Sequence, residues 1–148
     1  MKIKDFRTQL EKILSEMRLT SNDRTELLTM IAAHESLGCT EMKQIGGGPA
    51  RGPFGMEKFT HDEIWKHSDS ITARAKALGI KQDFNLVETD MRYAVIMAVS
   101  YLLMDANALP KTFHDRAAYA KKKWNAHGKA TPEEYLRDLI YWERGIIG

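Results

Sequence analysis

The residue with the clearest chemical potential in this 148-residue sequence is Glu35, which precedes a glycine-rich stretch. A helix is predicted over residues 23–37, and Glu35 lies in its last turn. Three apolar residues precede Glu35 at helical spacing and share its face, namely Leu28, Ile31 and Ala32. A carboxyl group pressed against apolar side chains has a raised pKa and can serve as a general acid near neutral pH. The alternative is that Glu35 only caps the helix or pairs with a nearby Arg or Lys at a partly exposed helix end.

A long segment without periodicity follows this helix. Glycines and two prolines accumulate between Gly38 and about Phe59, which predicts a loop, with a small β-hairpin around residues 40–58 as an alternative. Loops of this length are unusual in compact domains and are often functional. We expect the loop to fold back over Glu35 and so to form a cleft with one desolvated acid.

The rest of the chain has helical periodicity, which predicts an all-α fold of six or seven helices in one domain, residues 1–148. Segment 86–104 is apolar nearly all round and should form a central helix that the others enclose. Two capping-box patterns predict helix starts, at Thr60–Glu63 and at Thr131–Glu134. The other predicted helices span residues 3–18, 70–78 and 115–125, and the last helix runs to about Arg144.

Several classes of function are disfavoured by composition and spacing. A net charge of +2 is too small to indicate a nucleic-acid partner, and the run Gly46–Gly48 lacks the Lys and Ser or Thr of a phosphate-binding loop. The five histidines have no metal-ligand spacing, so we expect no metal and no cofactor. The longest apolar run, residues 93–104, is shorter than the roughly 20 residues that a membrane span needs, so no membrane insertion is expected.

Two further features have simple interpretations. The run Lys121–Lys123 is interpreted as a solvated helix face, with contact to an anionic polymer as the alternative. The single cysteine, Cys39, excludes an internal disulfide and is interpreted as a small buried hydrophobe, with a reactive thiol as the alternative.

Four pieces of the chain, in this order, resemble the goose-type lysozyme and soluble lytic transglycosylase branch of the lysozyme-like superfamily, as carried by bacteriophages. They are Glu35-Ser36 at a helix end, the run from Gly52 to Thr60, Tyr101-Leu102 in an apolar helix, and the run from Trp124 to Gly128. The resemblance covers most of residues 31–142, and order and spacing carry it more than any single motif. Two positions depart from the family pattern, since Gly55 stands in place of a glutamine and Pro53 in place of a leucine.

The resemblance implies a lysozyme-like catalytic domain that cleaves peptidoglycan glycan strands between N-acetylmuramic acid and N-acetylglucosamine. Glu35 would protonate the glycosidic oxygen. A lytic transglycosylase needs only this acid, because the resulting carboxylate takes a proton from the sugar's own C6 hydroxyl and a 1,6-anhydro product forms. An inverting muramidase needs a second carboxylate roughly 6.5–9.5 Å away, for which Glu57 is the first candidate and Glu41 the second. Lyase and hydrolase both stay open.

The resemblance also implies where substrate would bind. The expected contacts come from Ser36, Phe54, Met56, Tyr101, Trp124 and Asn125, with Tyr101 and Asn125 positioning the substrate. Phe54 would stack on a sugar ring, because Gly55 removes the amide that could hold an N-acetyl group. The alternative from another class is a non-catalytic binding or virion-structural module that keeps the lysozyme-like shape.

The expected biological setting is that of a phage endolysin or virion lysin acting as a monomer. No signal-peptide pattern opens the sequence, so we expect the protein to be made in the host cytoplasm. It would then reach the cell wall by holin-dependent release or by virion delivery.

Overall fold

The computed structural model describes residues 1–44 and 46–148, so Ile45, which belongs to the predicted loop, lies outside the described residues. The described residues are mostly helical and contain no sheet, which confirms the all-α prediction. None of their helices is both long and apolar enough to cross a membrane. The elements are α1 (Ile3–Glu16), α2 (Asn22–Glu35), α3 (Lys58–His67), α4 (Asp69–Leu78), α5 (Leu86–Thr89), α6 (Met91–Leu102), α7 (Phe113–Tyr119), a π-helical turn (Ala120–Trp124) and α8 (Pro132–Glu143).

Two helices, α2 and α6, lie at the centre of the fold. Residues 93–100 of α6 are all buried, as its apolar sequence predicts. Residues 27–33 of α2 are buried as well. The sequence predicted one buried face for this helix, whereas the structure buries it on all sides over these residues. The polar residue in that run, Thr29, is satisfied because its hydroxyl donates to the carbonyl of Thr25 at 2.7 Å. The buried hydroxyl of Thr29 is therefore paired within the helix.

The predicted helix over residues 86–104 is divided in two at Asp90. The backbone of Asp90 is extended, and its side chain accepts a hydrogen bond from the amide of Tyr93 at 3.1 Å. Asp90 is thus the N-cap of α6, a role that aspartate commonly fills. This division is one reason why the described residues hold eight α-helices where six or seven were predicted.

The two predicted capping boxes have different outcomes. The pattern at Thr131 is confirmed. The Thr131 hydroxyl accepts a hydrogen bond from the Glu134 amide at 3.2 Å, and the Glu134 carboxylate accepts one from the Thr131 amide at 3.1 Å. The pattern at Thr60 is wrong, because α3 already begins at Lys58 and Thr60 lies within its first turn. The helix is continuous through the predicted cap, with Glu57 at the N-cap position.

The described residues of the loop between α2 and α3 form isolated antiparallel bridges and no regular hairpin. Arg51 is paired with Lys43 and with Met56. The backbones of Arg51 and Met56 exchange two hydrogen bonds of 2.9 Å across a tight turn at residues 52–55. Gly52 has a φ of +81°, and a Cβ there would lie 2.0 Å from the carbonyl oxygen of Val87. The loop therefore packs against α5 at a position where only glycine fits.

Candidate functional site

Glu35 is the last residue of α2, and its side chain is half-buried. The apolar residues predicted to share its face, Leu28, Ile31 and Ala32, are fully buried, so the predicted stripe is present. One carboxyl oxygen, Oε1, accepts a hydrogen bond of 2.6 Å from the hydroxyl of Tyr135 in α8. This bond fixes the orientation of the Glu35 carboxyl group.

The environment of Glu35 favours its protonated form. Burial raises the pKa of Glu35, and the hydrogen bond from Tyr135 and the positive charge of His34 only partly oppose burial. Burial and the neighbouring carboxyl group also raise the pKa of Tyr135, so its hydroxyl remains a hydrogen-bond donor. A raised pKa is the property that a carboxyl group needs to act as a general acid.

The glycine-rich loop covers Glu35 through Gly55. This residue has a φ of +60°, in the left-handed region that favours glycine. A Cβ at Gly55 would lie 2.8 Å from Glu35 Oε2 and 3.2 Å from Glu35 Cβ. Glycine at position 55 thus allows the loop backbone to approach the acid directly.

A cleft of about 470 Å³ opens over Glu35. One part of its lining comes from the loop and the start of α3, and the other from α6 and the π-helical turn with the segment after it. Seven of the residues predicted from sequence line this cleft together: Glu35, Glu41, Met56, Glu57, Tyr101, Trp124 and Asn125. Residues that sequence reasoning did not select also line it, among them Gln44, Thr60, Lys123 and His127.

Two predicted substrate contacts do not fit the structure. Phe54 is only 2% exposed, and its ring lies in the core between Phe6 and Trp124, with centroid distances of 6.2 and 6.3 Å. It cannot stack on a sugar ring from that position. Ser36 is fully buried, and its hydroxyl donates to the Ala32 carbonyl and accepts from the Cys39 amide. Ser36 therefore stabilises the end of α2 and does not face the cleft.

The two candidates for a second carboxyl group, Glu57 and Glu41, are both exposed and line the cleft that holds Glu35. Glu57 stands at the N-cap of α3, and Glu41 follows the end of α2. The three carboxyl groups that were selected from the sequence thus lie in one cleft. Glu57 and Glu41 therefore remain the two candidates for the second carboxyl group of a two-acid mechanism.

The reactive-thiol alternative for Cys39 is not favoured. The thiol is half-buried, and burial raises its pKa to about 11. A thiol with that pKa is almost entirely protonated near neutral pH, and the thiolate is the reactive form. Cys39 therefore behaves as a small packed side chain.

The π-helical turn builds the far side of the cleft. π-helical turns are rare and occur often at functional sites. The indole nitrogen of Trp124 donates to the Phe54 carbonyl at 2.8 Å, which ties this turn to the glycine-rich loop. The ring of Tyr101 packs edge-on against Trp124, with centroids 5.3 Å apart. Two aromatic side chains thus line the cleft next to one another.

Lys121 is not part of a solvated face. Its ammonium group donates to the carbonyl oxygens of Asn125 and Gly128, at 3.0 and 2.8 Å, and approaches the Asn125 side-chain oxygen at 3.3 Å. The interpretation of residues 121–123 as one solvated face is therefore wrong for Lys121, because the segment beyond the π-helical turn folds back over it. Lys122 is exposed, as that interpretation requires.

Lys121→Met is expected to lower the free energy of unfolding by about 1.5–3 kcal/mol, because hydrogen bonds from a charged donor are lost. The amides of Gly128 and Ala130, which both bond to Asn125, should also exchange faster with solvent. Chemical denaturation and amide hydrogen exchange measure the two effects. Lys122→Met is the matched control and should change neither quantity. Equal destabilisation by both variants would contradict the assigned role.

Sequence reasoning missed three residues around Glu35, namely Tyr135, His34 and Asp138. Tyr135 and Asp138 are buried in α8 together with Leu139 and Trp142. Their spacing of three residues places both on the apolar face of the predicted last helix. Polar atoms on such a face require buried partners, so the sequence could have indicated that these two residues bond to other side chains. The sequence could not indicate that those partners belong to α2.

No protein-family model, no curated protein and no solved structure matches the chain. The lysozyme-like identity thus stays a prediction carried by the resemblance of residues 31–142 and by the chemistry of the cleft.

Proposed function

We propose that this protein cleaves peptidoglycan glycan strands between N-acetylmuramic acid and N-acetylglucosamine, with Glu35 as the general acid. The observation that supports this proposal best is the half-buried Glu35 carboxyl group, which lies in an open cleft with a raised pKa. Cleavage of a glycosidic bond needs a proton donor of this kind, because an unprotonated alkoxide is a poor leaving group. In the cell, the activity would serve a phage endolysin or virion lysin that acts as a monomer.

The two oxygens of Glu35 have different surroundings, which suggests how the proton moves. Oε1 accepts the hydrogen bond from Tyr135, so the proton to be transferred resides on Oε2. Oε2 is the oxygen next to Gly55 in the loop. After transfer, the Tyr135 hydroxyl stabilises the new carboxylate, which in the lyase route then serves as the base in the second step.

The lining of the cleft supplies candidates for holding the glycan. Tyr101 and Trp124 offer aromatic surface, and Asn125 and Gln44 offer amide groups. In the lyase route Glu35 alone handles the proton in both steps. In the hydrolase route Glu57, or in second place Glu41, would activate water from across the sugar ring.

The test is the digestion of purified peptidoglycan, with the released fragments identified by mass. Fragments with 1,6-anhydro ends, together with an active Glu57→Gln variant, establish a lytic transglycosylase. Fragments with reducing ends, together with loss of activity in Glu57→Gln, establish a muramidase. If no fragments are released from several wall types, the catalytic proposal fails and the binding or virion-structural module takes its place.

A further inference from the structure

A second polar contact joins α2 to α8, between His34, the residue before Glu35, and Asp138. His34 Nδ1 lies 2.7 Å from Asp138 Oδ2, and the other oxygen of Asp138 accepts from Arg137 Nε at 2.9 Å. Asp138 is only 3% exposed. The imidazole ring of His34 also packs on the ring of Tyr135, with centroids 4.4 Å apart. His34 is therefore in contact with the residue that bonds to Glu35.

The two contacts form a closed arrangement between the helices. His34 and Glu35 are neighbours at the end of α2, and Tyr135 and Asp138 are one turn apart on α8. Glu35 bonds to Tyr135, and His34 bonds to Asp138. A shift of α8 that breaks one bond must therefore strain the other.

The charges around His34 favour its protonated form. Burial lowers the pKa of the imidazole, but the hydrogen bond to Asp138 and the negative charges of Glu35, Asp138 and Glu134 outweigh burial and raise it. Burial raises the pKa of Asp138, but its hydrogen bonds from His34 and Arg137 prevail and lower it. Both shifts favour the charged forms of the two side chains, which strengthens the contact between His34 and Asp138.

We propose that His34 is a positioning residue for Glu35, and that its contact with Asp138 holds Tyr135 against the Glu35 carboxyl group. The cation beside Glu35 also favours the carboxylate, against the effect of burial. A group that first donates and then accepts a proton works best when neither form is strongly disfavoured. The inference rests on the proposed function only where it concerns catalysis, because the contacts themselves do not depend on the substrate.

The first experiment follows the titration of the Glu35 carboxyl group by carbon NMR, with the Glu35→Gln spectrum as the assignment reference. In His34→Gln, which removes the charge, the titration midpoint of Glu35 should move to higher pH. Asp138→Asn should move it in the same direction, because His34 loses the anion that keeps it protonated. His67→Gln is the control, since His67 pairs with Glu63 on an exposed face of α3 and should leave Glu35 unchanged.

The second experiment measures peptidoglycan cleavage against pH for the same variants. His34→Gln should lower kcat about tenfold with little change in KM, because the acid is less well placed. The pH at which activity falls on the alkaline side of the profile should rise together with the titration midpoint of Glu35, because the acid form now persists to higher pH.

The two experiments separate the two proposals. If Glu35 titrates at the wild-type midpoint in both His34→Gln and Asp138→Asn, the positioning role is overturned. If the midpoint moves but the wild-type protein cleaves no wall, the inference about Glu35 stands and the proposed function fails. Amide spectra of each variant verify that the fold is retained.

Discussion

Glu35→Gln is expected to lower peptidoglycan cleavage by about 10²–10⁴-fold, which is the usual contribution of a positioned general acid. The amide keeps the shape of the side chain and can still accept the hydrogen bond from Tyr135. It cannot transfer a proton to the glycosidic oxygen, so only the chemical step is lost. Release of soluble fragments from purified walls measures the effect, and a variant with near wild-type activity would exclude Glu35 as the acid.

The same variant should be more stable than the wild type near neutral pH. The folded state raises the pKa of Glu35, so its contribution to stability is present below the unfolded pKa and is lost as pH rises through the folded pKa. The glutamine variant has no such loss. For a domain of this size, a gain on the order of 1 kcal/mol corresponds to about 2–4 °C in Tm.

Thermal unfolding at about pH 4 and about pH 7 provides the measurement. The advantage of Glu35→Gln should be larger at the higher pH. Glu41→Gln is the control, because Glu41 is exposed in the same cleft and its replacement should not change Tm at either pH. An advantage that grows as pH falls would contradict the raised pKa of Glu35.

Gly55→Ala is expected to damage both activity and stability. The left-handed backbone costs a non-glycine residue about 1–2 kcal/mol, and the added methyl group would meet Glu35 Oε2 at 2.8 Å. Because a displacement of about 1 Å at a catalytic group can cost about 10²-fold in rate, we expect a loss of that order in kcat. Wall cleavage and chemical denaturation measure the two effects.

Gly47→Ala separates the backbone cost from the contact. Gly47 has a φ of +82°, and a Cβ there would meet nothing within 4 Å. This variant should lose about the same 1–2 kcal/mol as any left-handed position, with activity retained. If Gly47→Ala and Gly55→Ala lose activity equally, the loop acts through its flexibility and not through its contact with Glu35.

The fold was predictable wherever local chemistry determines local structure. The cap at Thr131 and the apolar run of α6 needed no tertiary information. Asp90 was missed as a cap because hydrophobic periodicity continues on both sides of it. The π-helical turn at residues 120–124 was also missed, since its hydrogen-bond pattern leaves no distinct periodicity in so short a segment.

The candidate site was predictable in part for a similar reason. Glu35 could be selected because its apolar neighbours belong to the same helix. Phe54 was misplaced because sequence does not distinguish a core aromatic ring from one that faces a cleft. Tyr135 was missed because its partner lies on another helix. Contacts within one element were therefore within reach of sequence reasoning, and contacts between elements were not.

The Tyr135–Glu35 bond joins residues 100 positions apart in the chain. Until α8 has docked on α2, Glu35 is a solvated carboxylate with an ordinary acidity and no hydroxyl to orient it. The orientation of the Glu35 carboxyl group therefore depends on a long-range contact of the chain and not on the formation of α2 alone. Under the proposed function, any event that detaches α8 from α2 would abolish wall cleavage while the other helices remain packed, so cleavage would report on the docking of this one pair of helices.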